Sequence, residues 1–196
     1  MIQPDPPQRI PQISEAERTE EVRQMFDAMQ GVSQQNNDHN HVLKTFARYP
    51  ALTQRFLAFN AHLLSASGVP VRLRQLAILR VAWLKRCRYM WSSHLRMSLR
   101  LGLSEADFRA VPQGAAAAHW SADERHVLAA AEQLSEQSDL DDANWQALSA
   151  IFDQRTMMDF VFTIGGYVAL AMVFNSIRIE REAELIELAE RYGCPD

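Results

Sequence analysis

The chain is short of cysteine, of excess positive charge and of β-strand patterning, and each shortage removes a class of protein. Its two cysteines, Cys87 and Cys194, stand far apart and form no CxxC pair, which argues against a zinc module and a disulfide scaffold. Twenty Lys and Arg face 24 Asp and Glu, a net charge of -4, so the basic footprint that nucleic-acid binding requires is missing. The opening MIQPDPPQRIPQ lacks a basic stretch followed by an apolar one, the order that marks a secretory signal, and a cytoplasmic location is expected. No segment alternates apolar and polar residues between turn signals as a hairpin requires. Internal repeats and low-complexity tracts are also missing.

What is present is helical. A chain of 196 residues, 47% of them apolar, is large enough for one domain with a real core. Residues 1–13 carry four prolines and no periodic pattern, so they read as an extended arm before a single domain over 14–196. Ser14 and Glu17 have the spacing of a capping box that opens a helix, and Val22, Met25, Phe26 and Met29 come next at helical intervals. Residues 31–40 are a polar loop. The HNH triplet formed by His39 and His41 has only Asp38 nearby and reads as solvated rather than metal-binding. Leu52, Phe56, Phe59 and Leu63 form a stripe ended by Ser67, Gly68 and Pro70. Residues 73–84 are apolar on nearly every face, as in a central helix; a second helix is expected over 89–101, stopping at Gly102. Ser104 and Ser121 begin further capping motifs, and Asp141 or Asp142 caps a helix carrying Trp145, Leu148 and Phe152. Residues 157–174 are almost continuously apolar, close to the ~20 residues a membrane span needs. Asp159, Thr163 and the Gly165-Gly166 pair interrupt them, so a buried or interface helix is expected and no membrane contact. A last helix over 177–192 carries Arg178 and Arg181 on a solvated face. The fold class is all-α.

Residues 72–111 read RLRQLAILRVAWLKRCRYMWSSHLRMSLRLGLSEADFRAV. This stretch resembles the core motif of the carboxymuconolactone decarboxylase family, which includes alkyl hydroperoxidase D. The likeness runs through RLRQLAILRVA, Cys87, Tyr89, Trp91, His94 and LGLSEADFRAV. FARYPAL at 46–52, WSADERHVLAAAEQL at 120–134 and MMDFVFTIGGYVALAMVFNS at 157–176 resemble the longer members. The resemblance implies a single-domain helical bundle of the alkyl hydroperoxidase D type that assembles as a homo-oligomer.

The family's chemistry depends on a few positions. The peroxidase branch carries CxxCxxxH with a glutamate twelve residues before the first cysteine. This chain has Cys87 and His94, with Met90 at the second cysteine and Gln75 at the glutamate. A thioether is no thiolate nucleophile, and a carboxamide relays no proton. Many decarboxylase-like members carry a YEW triplet and an additional histidine; here Tyr89-Met90-Trp91 and Ser93 stand instead. Cys87, Met90 and His94 at i, i+3 and i+7 share a helix face, and Gln75 and Arg80 on a neighbouring helix would border the same pocket. The expected reaction is a cofactor-independent, metal-free lyase or isomerase step on a small carboxylated or carbonyl-bearing ring compound such as an unsaturated lactone. His94, and secondarily Cys87, are the candidate catalytic groups. Arg72 or Arg80 would hold a carboxylate, Gln75 would donate to an oxyanion, and Tyr89, Met90 and Trp91 would form the wall. His94, with an ordinary pKa of about 6.5, would supply the proton. Two alternatives stand beside this: a thiol oxidoreductase in which Cys87 meets Cys194, and a catalytically degenerate binding or structural homo-oligomer.

Overall fold

The computed structural model describes residues 5–30 and 40–195; the expected loop at 31–39, with His39, lies outside them. The described residues are helical without strands. Helix α4 (Val71–Leu84) is the axis of the fold, and α5 (Arg88–Arg100), α7 (Ala122–Gln137) and α9 (Gln154–Ile177) pack around it. Leu76, Ala77, Ile78, Leu79, Val81 and Ala82 of α4 are completely buried, which is why this segment shows no polar face. α1 (Glu20–Gln30), α2 (His41–Phe46) and α3 (Pro50–Ala61) cover one side. α6 (Glu105–Ala110), α8 (Asp142–Ser149) and α10 (Ala183–Tyr192) close the others.

The caps agree with the sequence. Ser104 and Ser121 form reciprocal boxes with Asp107 and Glu124, and Asp141 caps α8 through the Asn144 N–H. Ser14 departs from expectation. Its box with Glu17 closes only one 3-10 turn, Glu15–Glu17, and α1 starts after Thr19, whose hydroxyl accepts from the Val22 N–H. The helix expected over 177–192 is also different. Arg178 adopts a left-handed φ of 57° and ends α9, so α10 begins only at Ala183. Arg181 therefore lies off any helix and is buried, making a bidentate pair with Asp5 of the N-terminal arm. His41 is tied to the same segment: its N–H donates to Glu182, and its ring Nδ1 lies 3.0 Å from the Glu180 carbonyl.

Arg80 and Arg72 hold the frame. Arg80 donates to Glu132 and to the carbonyls of Val111 and Pro112. The pair passes so close to Gly114 (φ 71°) that any Cβ there would collide with both side chains. Arg72 grips both oxygens of Asp107 and one of Glu124. Although burial opposes ionisation of Asp107, Arg72, the Ser104 N–H and His119 hold its carboxyl well below the usual range.

α9 is long and apolar enough, with a mean hydropathy of 1.8, to cross a membrane by length and composition alone. One of its faces, including Phe160, Ile164, Tyr167 and Ala171, is buried in the bundle, whereas Met158, Phe162, Met172 and Val173 are exposed.

Candidate functional site

A cavity of about 330 Å³ opens between α2, α3, α5 and α9, and Asn60, Tyr89, Met90, His94 and Tyr167 lie on its wall. A larger apolar groove of about 380 Å³ lies between α3 and α9. It contains no side chain able to exchange a proton at neutral pH, whereas the smaller cavity holds His94.

His94 is the centre of the site. Its Nδ1 lies 2.9 Å from the Gln75 Oε1, which also accepts from the Ser98 hydroxyl. A carboxamide oxygen only accepts, so the imidazole proton sits on Nδ1 and the lone pair on Nε2 is left for the cavity. Burial, and then the positive charge of Arg74, lower the His94 pKa to about 3. The ring is therefore neutral at neutral pH. A neutral ring differs from the expectation of a ready proton donor: in the free protein His94 is not an imidazolium. The ring also meets Tyr167 edge to face, 5.1 Å between centroids.

Gln75 reaches the site as expected, but in another role. It is fully buried behind the cavity wall, its oxygen orients His94, and its Nε2 contacts the Met97 sulfur. Met90 and the Tyr89 ring form wall, while the Tyr89 hydroxyl is committed to Glu182. Trp91 lies elsewhere: it is buried, and its indole N–H donates to the Gly193 carbonyl. Arg72 and Arg80 do not line the cavity, since each is consumed by the carboxylates described above. Cys87 precedes the first turn of α5, fully buried and off the cavity wall. Burial pushes its thiol up to about 12, so it stays protonated and is a poor nucleophile. Cys194 lies near enough to add to that rise, and the two form no disulfide.

Two groups that the sequence does not single out complete the site. Arg74, only 6% exposed, donates to the Val69 and Leu64 carbonyls and leaves its Nε without a partner. It has no carboxylate partner among the described residues. Asp159, whose charge reaches Arg74, is already bound by His62 and the Gly68 N–H. Leu64 lies in a π-helical turn, His62–Ala66, a widened turn that leaves carbonyls for outside donors. Tyr167 is buried on the cavity wall, and its hydroxyl makes no hydrogen bond among the described residues. Burial raises its pKa, while Arg74 works in the opposite direction. Arg74 carries a signal in the sequence: a cation inside an apolar helix needs a partner, and that holds for it as much as for Arg80. Tyr167 carries a weaker one, as the single phenol in the apolar run of α9.

These features define an all-α protein with a small, mostly apolar cavity that holds a neutral histidine and a phenol, with a buried cation behind its wall. No group of three His, Cys, Asp or Glu side chains able to hold a metal occurs among the described residues. Residues 50–133 match the model of the Carboxymuconolactone decarboxylase family, and the chain has the fold of the alkyl hydroperoxidase D-like proteins. The debrominase Bmp8 in complex with 2,3,4-tribromopyrrole superposes with a TM-score of 0.76 at 14% identity, covering 96% of this chain and 99% of that one. An uncharacterized peroxidase-related protein from Silicibacter sp. TM1040 gives 0.75 at 20% identity, covering 94% and 97%. One from Ralstonia eutropha JMP134, described as an alkylhydroperoxidase AhpD core, gives 0.74 at 20% identity, covering 92% and 95%. No curated protein matches the sequence.

The depressed His94 pKa makes stability depend on pH. An unfolded chain binds a proton at this ring below about 6.5, whereas the folded protein does not until about 3. Stability linked to neutral His94 is complete above the unfolded value and is lost as pH falls through this window. Urea unfolding of the parent and of His94→Asn should therefore show a free-energy difference that changes by about 2 kcal/mol between pH 6.5 and 5, against the parent. A difference independent of pH would contradict this.

Proposed function

We propose that the His94 cavity carries out a cofactor-independent isomerase or lyase step on a small ring compound bearing a carbonyl or carboxylate, such as an unsaturated lactone. The observation that supports this best is the neutral His94, its Nδ1 fixed by Gln75, within reach of the charge of a buried Arg74 that has no anionic partner among the described residues. In isomerisation, Nε2 takes a proton from a ring carbon made acidic by the carbonyl. The electron pair moves through the double bond onto the carbonyl oxygen, where the Tyr167 hydroxyl donates a hydrogen bond. The same imidazolium then returns the proton to a different carbon, so no outside reagent is consumed. Decarboxylation uses the same groups in another order. A bound carboxylate offsets the charge of Arg74 and draws a proton onto Nε2. The bond to the carboxylate then breaks, its electrons reach the lactone oxygen, carbon dioxide leaves, and the imidazolium protonates the ring carbon. The ring compound held by Bmp8 is in keeping with a cavity of this size.

Ultraviolet-monitored turnover of unsaturated lactones, with and without a carboxylate, tests the reading. His94→Asn should lower kcat by roughly 10²–10⁴-fold, and Tyr167→Phe by about 10–10²-fold. Arg74→Met should raise KM for the carboxylated lactones more than for the others. A parent protein inert on both kinds, or a fully active His94→Asn variant, would refute it.

We also propose self-association through the open face of α9, where Met158, Phe162 and Met172 are exposed; patches of this kind mark interaction sites. Light scattering should give a mass above 22.3 kDa that falls towards that of one chain in Phe162→Glu/Met172→Glu. A monomeric parent would contradict it.

A further inference from the structure

On the far side of the Tyr89 and Phe174 rings from the His94 cavity lies a second recess of about 220 Å³, where Arg86, Arg88 and Arg178 converge with Asn175. The two rings meet edge to face, 5.3 Å between centroids, and form a wall common to both spaces. The recess forms where the C-termini of α4 and α9 come together, joined by a hydrogen bond from the Asn175 Nδ2 to the Lys85 carbonyl.

Both helices end in the same way. Arg86 has a φ of 50°, with the Cys87 N–H reaching back to the Ala82 carbonyl. Arg178 has a φ of 57°, with the Ile179 N–H reaching back to the Phe174 carbonyl. Glycine is the usual residue at this left-handed position because it lacks the Cβ that is strained there. Among the described residues only Ser138 is otherwise non-glycine with positive φ, so two of the three such positions place an arginine in one recess.

Favourable contact with the helix C-terminal dipole explains a cation at Arg86 or Arg178. Arg88, the first residue of α5, is held by Asp5. The only carboxylate lining the recess is Asp5. Arg181 holds both of its oxygens, at 2.7 and 2.8 Å, and Arg88 approaches one at 3.3 Å. Arg86 and Arg178 have no carboxylate among the described residues. The exposed Arg86 and half-buried Arg178 thus offer two guanidinium groups, without a carboxylate among the described residues, at one recess with left-handed backbone.

We propose that this recess binds a small oxyanion, a phosphate or carboxylate group, on a compact molecule whose body rests against the Tyr89 and Phe174 rings. The site is separate from the His94 chemistry, and its test does not require turnover. The left-handed geometry provides the variant: glycine at positions 86 and 178 removes the guanidinium groups while relaxing the backbone.

Calorimetric titration of the full chain with inorganic phosphate and with benzoate is the experiment. The parent should bind at least one of them with a Kd of about 10 mM or tighter. Arg86→Gly/Arg178→Gly should weaken binding at least about tenfold with a Tm equal to or above the parent's, while His94→Asn binds as the parent does. Tighter phosphate identifies a phosphate ester as the ligand class, and tighter benzoate an aromatic carboxylate. Three results would overturn the proposal: no binding of either anion, binding retained by the double glycine variant, or binding lost with His94.

Discussion

Arg74 is buried among carbonyl groups, without a carboxylate beside it among the described residues, and its charge adds to the burial that keeps His94 neutral. Burying a cation without a counter-ion costs several kcal/mol even after hydrogen bonding, on the order of 3–5 when a partner is missing. The nearest acid that bears on it, Asp159, is held by His62 and the Gly68 N–H and cannot swing across to neutralise it. The unscreened charge acts on the cavity in two ways. It disfavours a second cation, adding to the burial that keeps His94 neutral. It also favours negative charge, whether on a bound carboxylate or on an oxygen becoming anionic beside Tyr167.

The remainder of the fold keeps this arrangement fixed. α4 supplies Arg74 and Gln75 on successive residues, α5 supplies Met90 and His94 one turn apart, and α9 supplies Tyr167. Arg72 and Arg80, on the same helix as Arg74, lock α4 to α6 and α7 through Asp107, Glu124 and Glu132. Three arginines within nine residues thus divide into two that are paired and structural and one that is unpaired and electrostatic. Gln75 provides an uncharged acceptor for the His94 Nδ1–H and adds no negative charge near Arg74. Met90 keeps that part of the wall apolar, and the buried Cys87 stays a protonated thiol.

Much of the fold is legible in the chain, since helical periodicity, capping pairs and the all-apolar α4 are local signals. The departures fall where local signals mislead. Ser14 and Glu17 satisfy the spacing of a cap but close a single turn, because a capping pair does not determine whether the next residues continue the helix. The alternating charges after residue 177 resemble a helix face, yet a left-handed Arg178 cannot be inferred from a residue type that seldom adopts it. Within the site, the pairing of His94 with Gln75 is legible from helix geometry. Which arginine is left without a carboxylate is not: Arg72, Arg74 and Arg80 are chemically identical, and only Asp107, Glu124 and Glu132, distant in sequence, distinguish them. The His94 protonation state is equally inaccessible, because burial and the nearness of Arg74 are tertiary properties.

The central claim is that His94 awaits its substrate as a neutral ring with the proton on Nδ1. Long-range nitrogen–proton correlation spectroscopy of the free protein at pH 6 reads this directly, as the two ring nitrogens have distinct shifts in each tautomer and in the imidazolium. A protonated Nδ1 and an unprotonated Nε2 are expected, with no imidazolium signal. An imidazolium at that pH, or a proton on Nε2, would contradict it.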